Sequence, residues 1–148
     1  MNLLLATRNT KICVNDDLRL SVFDGEGKPL WATSTRWPPS ATVRTHGGEL
    51  LTFPLCAARD RIAMSDRIRV SRFEGSDVTL EVRFAADASL DELSVEIAQI
   101  GGSDAVVSIE HFYRFERPVA DGGHMVLPHG SGYLIPADCE TTLRDSGW

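Results

Sequence analysis

Cysteine is scarce in this chain: Cys13, Cys56 and Cys139 stand far apart, with no Cys-x-x-Cys and no histidine partnered to them. An odd, scattered count gives neither a disulfide framework nor a thiolate metal set, so buried free thiols are the expectation. Lysine is scarcer still, with only Lys11 and Lys28 among 15 basic residues. Long apolar runs are missing. The opening MNLLLATRNTK turns polar after one short run, whereas a secretory leader needs a longer apolar stretch behind a basic start. No run approaches a membrane span. The default expectations are therefore a cytoplasmic location and no membrane partner. A net charge of −6 argues against nucleic acid or an anionic membrane surface as partner.

What is present is an ordinary globular composition, 43% apolar and 24% charged over 148 residues, enough for one domain with a core. Its dominant period is two. In DVTLEVRF, Val78, Leu80, Val82 and Phe84 fall on one face, with Thr79, Glu81 and Arg83 on the other. That is a strand with one dry and one wet side. ELSVEIAQI repeats the pattern through Leu93, Val95 and Ile97, DLRLSVFD through Leu18, Leu20 and Val22, and DRIRVSRF through Ile68 and Val70. AVVSIEHFYRFE is a longer run rich in β-branched and aromatic residues. Turn-forming stretches at 24–27, 74–77, 101–104 and 121–123 separate the runs. Runs recurring at this interval predict antiparallel hairpins in an all-β sandwich. The one helix candidate, ADASLDELSVEI, reads as a strand with a polar lead-in.

Residues 31–61 alternate weakly and contain Pro38-Pro39, which predicts long irregular connections with one or two short strands. Internal repeats are not evident. The final TTLRDSGW stops on an aromatic residue, and the expectation is a single β-sandwich domain over 1–148, short of complete at its C-terminus and forming the N-terminal part of a longer, multidomain chain.

Candidate chemistry centres on His129-Gly130-Ser131-Gly132. A nucleophile elbow requires Gly-x-Ser-x-Gly between a strand and a helix, but histidine occupies position 129 and no helical pattern follows. A tight turn between strands MVLP and YLIP is the preferred alternative. Zinc binding would need a close histidine pair, and only His124 and His129 come near. A spacing of five places them on opposite faces of a regular strand, so no metal is expected. His111 falls in the alternating series Val107, Ile109, His111, Tyr113 and reads as packed. Carboxylates form no pair by spacing, and Asp138 after YLIPA is the least ordinary of them. Trp31, Trp37 and Tyr133 could stack on sugar rings. For Trp31 a core role is favoured, while Trp37, in an irregular loop before two prolines, is open to either role.

Two stretches carry a resemblance. NTKICVNDDLRLSVFDGEGKPLW resembles the start of the β-sandwich domain that precedes the catalytic barrel in several glycoside hydrolases. HMVLPHGSGYLIPAD is similar to a Leu-Pro-x-Gly-Ser-Gly-x-Leu-Ile-Pro phrase of bacterial glycosidase-like proteins, here Leu127 to Pro136, including the endo-α-N-acetylgalactosaminidase group. The resemblance implies a galactose-mutarotase-like supersandwich followed by a (β/α)8 barrel. The barrel would hold the catalytic acids, so no catalytic residue is carried over to this chain.

The expected function is accordingly a non-catalytic β-sandwich domain of a glycoside-hydrolase-like protein. It would pack against the barrel, leave an apolar patch near Trp37 or Trp148, and lend carbohydrate contacts through Trp37, His129, Ser131 and Tyr133, with no cofactor. The alternatives are a free-standing carbohydrate-binding module, or a small sugar epimerase or esterase that sets His129 or His111 beside a carboxylate.

Overall fold

The computed structural model describes residues 3–15, 17–34, 36–90 and 92–110, and the strand residues 115–116, 124–127 and 133–136. In chain order the strands are β1 (Leu3–Ala6), β2 (Thr10–Val14), β3 (Leu20–Asp24), β4 (Pro29–Thr33), β5 (Ser40–Arg44), β6 (Leu50–Pro54), β7 (Asp60–Ala63) and β8 (Arg67–Ser71). They continue with β9 (Thr79–Asp87), β10 (Glu92–Gly101), β11 (Ala105–Glu110), β12 (Phe115–Glu116), β13 (His124–Leu127) and β14 (Tyr133–Pro136). A 3-10 turn at Leu55–Ala57 interrupts them.

By internal contacts the chain divides into two compact units, Met1–Glu116 and Arg117–Trp148. The first is an all-β, antiparallel, sandwich-like fold of three sheets, ordered β1-β2-β3-β4-β12, β10-β9-β8-β7 and β11-β5-β6. In the second, β13 pairs with β14 in an antiparallel ladder, as the strand–turn–strand pattern predicts.

Cross-strand rows build the core. Leu3, Val14 and Leu20 align across β1 to β3, and Ile68–Val82 and Val70–Leu80 across β8 and β9. Ala41–Phe53 and Val43–Leu51 do the same across β5 and β6. All but the half-buried Leu51 are buried, and Val78 and Phe84 complete the apolar face of β9 and the residue leading into it. Each fully buried side chain of this size contributes roughly 2 kcal/mol. One buried polar residue sits inside this layer: Thr33 Oγ1 accepts from the Leu20 N–H at 2.7 Å and donates to the Leu20 carbonyl at 3.2 Å. Both backbone groups are thereby satisfied away from water.

The segment from Trp31 to Arg61 holds two complete short strands, β5 and β6, in which Ala41 and Val43 meet Phe53 and Leu51, with non-strand stretches at 36–39, 45–49 and 55–59 around them. Two expectations change. Leu18 is buried but lies outside β3, in a β2–β3 connection with φ 63. There Asn15 Oδ1 accepts from the N–H groups of Asp17 and Arg19, and the hydrogen-bonded turn turns Leu18 inward. In β11 the register shifts between Val106 and Ser108, so Val106 and Ile109 pack against the core while Val107 is exposed. A bulge of this kind breaks the simple alternation of Val107 with Ile109.

Candidate functional site

The loop joining β4 to β5 is held at both ends. Ser34 is buried, and its hydroxyl accepts from the Arg36 N–H at 3.2 Å. Pro39 is fully buried, and its carbonyl accepts from the Leu55 N–H at 2.8 Å. Between these anchors Trp37 remains 42% exposed. Pro38 restricts the residue before it to extended conformations, which limits how far the indole can fold back. The Arg36 guanidinium lies over the Trp37 ring, 5.7 Å from its centroid, within cation–π range. A large aromatic surface and a planar cation therefore meet on a pinned, short loop.

A second cluster joins two Gly-Ser-Asp tripeptides, 75–77 and 102–104, in a reciprocal clasp. Ser76 Oγ donates to Asp104 Oδ2 at 2.6 Å, and Ser103 Oγ donates to Asp77 Oδ2 at 2.8 Å. The Asp77 N–H reaches Asp104 Oδ2 at 3.3 Å and the Asp104 N–H reaches Asp77 Oδ1 at 3.0 Å. Asp104, which is buried, also accepts from the His46 N–H in the β5–β6 turn at 3.0 Å. The Ser103 N–H, first among several donors, holds the Asp77 carboxyl below the usual range. Gly102 has φ +93, and a β-carbon there would lie 2.5 Å from the Asp77 carbonyl oxygen. These carboxylates are acceptors for backbone and hydroxyl groups of the turns they tie together. The duplicated Gly-Ser-Asp was the available sequence signal, and spacing alone did not reveal it, because it is a pairing of two turns far apart in the chain.

The outer faces of two sheets differ in chemistry. On β8 and β9, Arg67 sits opposite Arg83, and Asp66 bridges them, 2.8 Å from Arg67 Nε and 3.8 Å from Arg83 Nε. Glu81 joins Arg67 at 3.0 Å and Arg69 at 3.4 Å. The Arg67 guanidinium hydrogen bond draws the Asp66 carboxyl below the ordinary aspartate value and raises Arg67 in turn. Across β1 to β4 the outward rows instead run Leu4–Cys13–Ser21–Ala32 and Ala6–Lys11–Phe23–Pro29. Among the described residues of those rows Lys11 is the single charge, and Leu4 is 76% exposed.

Of the sequence candidates, Trp37 is on the surface as a stacking role requires. Trp31 stands opposite Val22 in a row that continues to Ile12 and Leu5, on the core-facing side, and is half-buried. Tyr133 is the first residue of β14, opposite Leu127, and His124 opposes Pro136. His129, Ser131, His111, Asp138, Cys139 and Trp148 lie outside the described residues. Cys13 and Cys56 are free thiols. Among the described residues no group of three or more His, Cys, Asp or Glu side chains could hold a metal ion, and no helix is long and apolar enough to cross a membrane. No model of a known protein family matches the chain, and no curated protein does.

Proposed function

We propose that this chain is a non-catalytic β-sandwich module of a glycoside-hydrolase-like protein that contacts carbohydrate through the Trp37 loop. The observation that carries the proposal is Trp37 itself, a large aromatic side chain 42% exposed on a loop pinned by Ser34 and Pro39. An indole face matches the apolar face of a pyranose, and a loop already ordered loses little entropy when a ring stacks on it. Tyr133, the first residue of β14, and with it His129 and Ser131, which lie outside the described residues, belong to the proposal as a further contact.

Three described carboxyls are placed against a role as general acid. Asp66, Asp77 and Asp87 are all drawn downward, by Arg67, Ser103 and Ser89 respectively. A general acid needs the opposite shift, since it must keep its proton near neutral pH. The outer rows of β1 to β4, in which Lys11 is the one charged residue among those described, favour a module that packs against a catalytic (β/α)8 barrel over a free-standing one, since a sheet face poor in charge is suited to burial.

Isothermal calorimetry against a panel of neutral and acidic oligosaccharides tests the carbohydrate contact. Binding by the 148-residue chain that Trp37→Ala reduces about tenfold or more is expected. Binding that survives Trp37→Ala unchanged, or no binding to any saccharide, overturns it.

A further inference from the structure

Resting on the carbohydrate reading of Trp37, we infer that this loop selects an anionic saccharide, a pyranose bearing a carboxylate or sulfate, and that Arg36 is the residue that selects it. Arg36 is exposed, and its guanidinium is held 5.7 Å from the Trp37 ring centroid. Among the described residues no carboxylate forms an ion pair with it, as with Arg8, Arg44 and Arg59, and it is the Trp37 ring beneath its guanidinium that sets Arg36 apart from those three. In a chain of net charge −6, an arginine placed against an aromatic ring instead of a carboxylate keeps its planar fork of donors available for an outside anion.

The geometry suits a two-part ligand. A pyranose stacked on the exposed part of the Trp37 side chain would carry its ring substituents toward the Arg36 guanidinium. Charge-assisted hydrogen bonds from guanidinium to carboxylate or sulfate are stronger than neutral ones and can be bidentate. The backbone beneath supports this placement: the Arg36 N–H is tied to the hydroxyl of buried Ser34, so the guanidinium stem starts from a fixed point. Stacking alone would accept any pyranose with a clear face. Adding a fixed cation beside it converts the surface into one that discriminates by charge.

Three probes separate the possibilities: an oligosaccharide containing glucuronic acid, the same oligosaccharide with its carboxylates reduced to hydroxymethyl groups, and a sulfated form of that neutral compound. Calorimetry with the full chain at low and at high salt is expected to show at least about tenfold tighter binding of one or both anionic probes. That preference should fall as salt rises. Which anionic probe wins identifies the source of the charge. Arg36→Gln should abolish the preference of anionic over neutral probes, whereas Trp37→Ala should weaken all three. Both side chains are exposed, and circular dichroism of each variant checks that the fold is kept. Equal binding of neutral and anionic probes, or a preference that persists in Arg36→Gln, overturns the role of Arg36 and leaves the carbohydrate reading standing. Failure of all three probes to bind overturns both.

Discussion

Glycine 102 and glycine 48 both have positive φ, yet they answer to different constraints. At Gly48 nothing lies within 4 Å of where a β-carbon would sit, so alanine there meets only the left-handed backbone penalty. Gly48→Ala should cost about 1 kcal/mol. At Gly102 the added carbon would also fall 2.5 Å from the Asp77 carbonyl oxygen and 2.7 Å from Val78 Cα, both backbone atoms that cannot rotate away. Gly102→Ala should cost on the order of 3 kcal/mol or more, with both losses read from urea denaturation midpoints. Asp104 sets up a related test. Truncation to alanine strips acceptors from the His46 N–H and the Ser76 hydroxyl, and should destabilise by about 2–3 kcal/mol. Asp77→Ala opens the same clasp from the other side, so the double variant should lose less than the two single losses summed. Strict additivity would mean the two aspartates act independently.

Elements show where local pattern ends and tertiary context begins. Strands β8, β9 and β10 were legible because each has one dry and one wet face and no irregularity over most of its length; Val78 to Phe84 alternated without exception and every one of those apolar residues is buried. The β5–β6 hairpin was less legible because its strands are short and its dry residues include the small Ala41, which carries little pattern. Leu18 followed the right parity for the wrong reason, being turned inward by a left-handed turn that Asn15 closes. The bulge in β11 leaves no trace in composition, since Val106 and Val107 are the same residue type on opposite sides of the sheet. Substitution distinguishes them. Val106→Lys, which places a charge against the core, should cost about 2 kcal/mol or more, while Val107→Lys should stay within about 0.5 kcal/mol. Similar losses at both positions would contradict the register shift. The candidate site divides in the same way. Trp37 stood out as a tryptophan before two prolines, but the pairing with Arg36 depends on loop geometry, and the Gly-Ser-Asp clasp depends on two turns meeting.

At the scale of the whole molecule, charge ties stability to pH. Asp66, Asp77 and Asp87 each have a folded-state carboxyl below the ordinary aspartate value. A lowered group stabilises the fold while it is ionised, so its contribution is fully present at neutral pH. It fades as pH falls below about 4, through the folded-state values. Thermal midpoints should therefore hold from neutrality to about pH 5 and decline below about pH 4, and Asp77→Asn should flatten that decline. A midpoint that rises on acidification would contradict the assignment. Within Met1–Glu116, the charged outer face of β8 and β9 contrasts with the outer rows of β1 to β4, which carry Lys11 as their one charge among the described residues.

The clasp between the two Gly-Ser-Asp turns has a consequence for a chain made from its N-terminus onward. The His46 amide sits in the β5–β6 turn, but its acceptor on Asp104 arrives 58 residues later. When the ribosome has delivered β5 through β8, the hairpin has its partner strand but not the carboxylate that fastens its turn, and Ser76 waits 28 residues for the same group. One aspartate therefore ties the β5–β6, 73–78 and β10–β11 turns together through contacts that cannot form until residue 104 is present.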